Sequence, residues 1–229
     1  MLAEVARAVW VICLVVAVPT LSLKTTRPEL LRQIPRLALY LSAVLSQWAL
    51  VAATLAVVEI SGGNWAALGL RSARLMTLAA WAIGLAGVIV SGLGGVLFLE
   101  RRGWWPAEPE TVLLLMPETR KEKWWALLIV APTAGLCEEF LYRGFLLGAL
   151  SAWFHSASWG LATSSLAFGL AHTYQGSQGV ARATVLGALL AVSVLCTGSL
   201  YPAMLAHFLV DATALLWLGP RFLKPPPSL

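Results

Sequence analysis

Long apolar runs separated by short polar stretches set the pattern of this chain. The runs cover roughly residues 8–23, 37–58, 75–99, 124–153, 157–173, 183–200 and 202–218. A span needs about 20 apolar residues to cross the hydrocarbon core of a bilayer. The pattern therefore predicts an all-α fold, a polytopic transmembrane helix bundle of seven spans. The 124–153 run is long, about 45 Å at 1.5 Å per residue, so it is tilted, extends past the membrane, or breaks near Gly135. A break there raises the count to eight.

Composition agrees. Of the 229 residues, 59% are hydrophobic and 12% charged, with a mean hydropathy of +0.79, whereas a soluble domain is about a quarter charged. A soluble globular protein is excluded. The formal charge of +5 does not call for a nucleic-acid partner, because Lys and Arg collect on the cytoplasmic loops of membrane proteins. Lys24, Arg27, Arg32 and Arg36 mark one such loop, and Arg101, Arg102, Arg120, Lys121 and Lys123 a second. Arg221 and Lys224 mark a cytoplasmic tail, 219–229, while 59–74 holds only Arg71 and Arg74 outside its flanking runs. With seven spans this places the N-terminus outside and the C-terminus in the cytoplasm. The first run could pass for a signal peptide, but Glu4 beside Arg7 and the length of the run favour a first transmembrane helix.

Smaller features fit the bundle. Trp104 with Trp105 and Trp124 with Trp125 flank the 101–123 cytoplasmic or interfacial loop as an aromatic belt predicts. Gly87, Ser91 and Gly95 recur at four-residue spacing, a pattern that suits close helix packing. Cys13, Cys137 and Cys196 show no paired spacing and are expected to be apolar packing residues. His155, in "WFHSAS", stands at a helix end and is expected at the interface.

Against this background six ionisable residues are expensive. Glu138, Glu139 and Arg143 lie in the fourth run, His172 closes the fifth, and His207 and Asp211 lie in the seventh. Each Asp, Lys or Arg at a helix centre costs about 2.5–3.5 kcal/mol on insertion scales. Held separately, the six would cost on the order of 10 kcal/mol, as much as the stability of a whole domain. They are therefore expected to face one another in a buried polar active-site cavity. Glu139 with Arg143, and His207 with Asp211, are spaced i, i+4 and share a helix face, while Glu138 points about 100° away from Glu139. Helix-depth arithmetic brings Glu138 and His207 to a similar level; His172 fits less well, being close to the polar "TYQGSQG".

Three segments also carry a resemblance. "EEFLYR", "FGLAH" and "HFLVD" are similar, in order, to the EExxxR, FxxxH and Hxxx(N/D) motifs of the CPBP family of intramembrane proteases, which includes CAAX prenyl endopeptidases and Abi-like bacterial proteins. The resemblance covers about residues 110–218. It implies a catalytic core at 124–218 behind generic spans in 1–100. It also implies a bacterial inner-membrane enzyme that hydrolyses a peptide bond of a membrane-tethered or lipidated protein. Asp211 stands where prenyl-processing members commonly carry Asn, which weakens the CAAX substrate more than the protease activity.

Amide hydrolysis needs a base for water, a stabilised oxyanion and a proton for the leaving amine. A carboxylate in apolar surroundings is a better base than one in water. Glu138 is the candidate base and His172 orients the same water. Glu139 and Arg143 fix the helix face behind them, and His207 with Asp211 stabilises the oxyanion. No cofactor is expected on that reading. The competing mechanism is zinc-assisted, with two histidines and a glutamate as ligands, although HExxH is absent. Ser164 and Ser165 lack the setting of a serine nucleophile. A non-catalytic immunity or binding protein, and a proton-linked transporter, are the other function classes. The complete motif set argues against the first, and the absence of matched broken-helix repeats against the second.

Overall fold

The computed structural model describes residues 2–72 and 74–218; the proposed tail, with Arg221 and Lys224, lies outside the described residues. Each apolar run became helix. Seven helices cover the apolar runs and follow one another: α1 (Leu2–Thr25), α2 (Arg36–Ile60), α3 (Leu75–Arg101), α4 (Arg120–Trp153), α5 (Ala157–Ala171), α6 (Gly176–Thr197) and α7 (Tyr201–Thr213, continued by a π-helical turn Ala214–Leu218). No strand occurs among the described residues.

Five of these helices, α1 to α4 and the segment Thr173–Thr197 that contains α6, are long and apolar enough to cross a membrane. Among the described residues this criterion supports five spans and does not establish the expected seven to eight. The 15 residues of α5 reach only about 22 Å at 1.5 Å per residue, and α7 is likewise short.

The long fourth run does not break near Gly135. It forms one helix of 34 residues, starting at a capping box in which Thr119 Oγ1 accepts from the Glu122 amide and Glu122 Oε2 accepts from the Thr119 amide. Pro132, inside it, is accommodated by a π-helical turn at Ala126–Val130 directly upstream. A regular turn would drive the proline ring into the Leu128 carbonyl, and a wider turn relieves that clash. Pro19 in α1 follows a π turn at Cys13–Ala17 in the same way.

α4 is the central helix. Half of its most apolar 18-residue window is buried, against 17% for α1 and for α2. It is also the least hydropathic of the five, at 1.3, because it carries the ionisable residues. Gly135 lets α7 approach closely: a Cβ there would lie 2.8 Å from the Met204 carbonyl and 3.0 Å from the Phe208 nitrogen. The Gly87, Ser91 and Gly95 stripe behaves otherwise than expected. All three face outward, and a Cβ on Gly87 or Gly95 would meet nothing within 4 Å. Four-residue spacing shows that small residues share a face, but not that another helix covers it.

Polar contacts anchor the connections. The Trp10 indole donates to Thr54 Oγ1 at 2.9 Å, tying α1 to α2. Arg36 and Tyr40, at the start of α2, donate to the Leu114 and Leu115 carbonyls at 2.8 Å each, holding the short helix Glu110–Leu115. Glu108 pairs with Arg182 of α6. His155, at φ 49°, makes the left-handed turn between α4 and α5, and Ser156 Oγ caps α5. Of the cysteines only Cys137 is buried; Cys196 is exposed.

Candidate active site

The six residues singled out from the sequence come together. α4 supplies Glu138, Glu139 and Arg143, the end of α5 supplies His172, and α7 supplies His207 and Asp211. Glu139 is the buried hub, with no exposed surface. Its Oε1 accepts from Arg143 Nη1 at 2.8 Å and from His207 Nδ1 at 2.7 Å. The i, i+4 pair therefore forms as its spacing predicts, although the helix widens into a π turn over Phe140–Leu146. Arg143 also lies over the Phe168 ring, its guanidinium carbon 4.2 Å from the centroid. Gly187 of α6 leaves room for that guanidinium: a Cβ there would stand 3.0 Å from Arg143 Nη2.

His172 is the C-cap residue of α5, and the helix end dips to the level of Glu138. α5 stops at Ala171, and the half-buried 3-10 turn Thr173–Gln175 that follows leaves His172 facing Glu138. His172 Nδ1 lies 2.8 Å from the Phe168 carbonyl. A carbonyl can only accept, so Nδ1 carries the proton, and neutral His172 presents a lone pair at Nε2. His207 is oriented by the same logic, its Nδ1–H donating to the Glu139 carboxylate. Tyr174 stacks on His172 at 5.9 Å, and Phe168 packs against both histidines.

Glu138 faces the two histidines. Its Oε2 lies 3.9 Å from His172 Nε2 and 3.9 Å from His207 Nε2, and this buried oxygen accepts no hydrogen bond from the described residues. Asp211 completes the group from the outer side, with Oδ2 3.7 Å from His207 Nε2 and a side chain 30% exposed. One cluster member was not singled out from the sequence: Gln47 of α2 donates from Nε2 to Glu138 Oε1 at 2.7 Å. Its signal was available, since a lone amide stands mid-span in "LSQWALVAATLAVV". An argument from the cost of buried charge does not reach an uncharged amide.

The same segment of chain matches a family model, described as type II CAAX prenyl endopeptidase Rce1-like, over residues 120–213. Residues 120–213 are an Rce1-like domain. Neither a curated protein nor a solved structure matches the chain. The Rce1-like domain begins at the first residue of α4 and ends at the last residue of α7 proper, so it holds all six ionisable site residues. It agrees with the resemblance carried by the three motifs, and the apolar helices are those of an integral membrane protein. Gln47 lies outside it. Among the described residues no group of three or more His, Cys, Asp or Glu side chains is arranged to hold a metal ion. Glu139, moreover, is already engaged by Arg143 and His207.

Proposed function

We propose that the protein is a glutamate-dependent intramembrane endopeptidase that cleaves a membrane-tethered or lipidated protein. The observation that carries this reading is the free Oε2 of Glu138 facing the Nε2 atoms of His172 and His207 at 3.9 Å each. That distance is too long for a direct hydrogen bond and suits one bridging water.

Glu138 takes a proton from this water while the lone pair of His172 Nε2 accepts the second O–H and aims the oxygen. The hydroxide adds to the scissile carbonyl carbon. His207, held by Glu139 and flanked by Asp211, donates from a protonated Nε2 to the developing oxyanion, an interaction strongest where bulk water is excluded. As the tetrahedral intermediate collapses, the C–N bond breaks and Glu138 returns its proton to the leaving amine. The products are a new carboxyl terminus and a new amine, and the glutamate is ionised again. Metal ions take no part in these steps. The CAAX description of the family supports a lipidated substrate, and the acid at Asp211 leaves room for other membrane-tethered chains.

The test is a comparison of membrane proteomes from wild-type, Glu138→Ala and His172→Ala strains. One or more membrane proteins should accumulate uncleaved in both variants, and purified wild-type enzyme should cut them. Either purified variant keeping more than a tenth of wild-type cleavage, at equal membrane expression, would falsify the assignment.

A further inference from the structure

Gln47 stands near the midpoint of the 25-residue α2, among leucines, alanines and valines. A primary amide is poorly matched to that depth unless it meets a partner. Its partner is Glu138, 2.7 Å from Nε2. An ionised carboxylate only accepts, so the amide nitrogen must be the atom facing it. The amide oxygen is buried and meets no donor among the described residues. A residue serving only to clip two helices together would be expected to satisfy both ends of its amide; Gln47 spends its one observed bond on the carboxylate.

Glu138 needs such a restraint. Glu139 is fixed by two donors, but within its own helix Glu138 has only Tyr142 one turn on, whose hydroxyl reaches no partner. A glutamate has three rotatable side-chain bonds, so an unrestrained Glu138 would sweep its carboxylate away from the histidines. With Oε1 held by Gln47, the carboxylate plane is set and Oε2 is the oxygen left facing both Nε2 atoms.

We infer that Gln47 is a positioning residue for the reaction, clamping Glu138 Oε1 so that Oε2 stays aimed at the water shared with His172 and His207. This inference rests on the protease reading, and it extends the site beyond residues 120–213 into α2.

The informative variant is Gln47→Met, which preserves length and volume and removes the donor. Wild-type and variant proteins are reconstituted in liposomes and assayed on a fluorogenic farnesylated peptide ending in a CAAX sequence, and on any protein that accumulates in Glu138→Ala membranes. A general base contributes about 10²–10⁴-fold, so losing its aim should lower kcat about tenfold or more while KM stays within about twofold. Infrared difference spectra supply a readout independent of turnover. The carboxylate stretch that disappears in Glu138→Gln should shift in Gln47→Met, and Gln47→Met in the Glu138→Gln background should show no such shift.

Unchanged kcat, a loss confined to KM, or an unmoved Glu138 band each overturns the inference while leaving the protease reading intact. A wild-type protein that cleaves none of these substrates refutes the protease reading, and the role of Gln47 falls with it. If Gln47→Met fails to accumulate in membranes, Gln47→Asn, which keeps the donor but draws it back by one methylene, replaces it under the same criteria.

Discussion

Arg143 and Glu138 are both costly side chains in an apolar helix, and they differ in what their removal should do. Arg143 is 3% exposed, bonded to Glu139 and seated over Phe168. Truncating it strands a buried carboxylate, and breaking a buried pair costs about 3–5 kcal/mol. Arg143→Ala should therefore lower the melting temperature in detergent, and the yield of folded protein, together with activity. An inactive Arg143→Ala with wild-type melting would instead place the guanidinium on the substrate. Glu138→Ala strands the neutral Gln47 amide rather than a charge, so melting should fall less than in Arg143→Ala while cleavage is lost. Position in the hydrogen-bond network separates the two, not charge or depth.

At the scale of elements, α4 carries the carboxylates and α7 carries His207, so the spacing of these two helices sets the site. Gly135 fixes that spacing. A methyl group there would press on the α7 backbone at 2.8 Å and 3.0 Å, where no flexible side chain can yield. Overpacking of this kind costs about 1–3 kcal/mol, and displacement of α7 carries His207 with it. Gly135→Ala should lower both melting temperature and kcat. Gly87→Ala, with nothing within 4 Å of its new Cβ, should change neither in detergent. Equal effects of the two substitutions would show that the α4–α7 approach does not govern the site. The π turns belong to the same scale: the one at Ala126–Val130 lets α4 continue past Pro132, so Glu138 stands on the same unbroken helix as the Thr119 capping box.

Over the whole molecule, the Rce1-like domain forms the half of the bundle that holds the ionisable groups, and α1 to α3 complete it. On the proposed metal-free mechanism, the purified protein should keep its activity after dialysis against strong chelators. Elemental analysis should find well under one zinc per chain. Stoichiometric zinc, lost with activity on chelation and recovered with it on zinc addition, would establish the metal mechanism instead.

The sequence by itself determined the helical class, the position of each apolar helix to within about seven residues, and the six ionisable residues that come together in the buried cluster. Two physical facts made these legible: apolar runs of span length leave the backbone little choice but helix, and buried charges are too costly to be placed idly. Local spacing also determined the Glu139–Arg143 pair, since i, i+4 neighbours meet whatever surrounds the helix. Tertiary structure decided the rest. That His207 turns Nδ1 to Glu139, that Glu138 keeps one oxygen free, and that Gln47 reaches across from α2 all depend on how separate helices pack. The same is true of the two glycine sites, Gly135 being covered and Gly87 open although both look alike in an apolar run. Contacts between residues 68 or 91 positions apart leave no periodicity in the chain, because they are fixed by helix packing rather than by the geometry of any one helix.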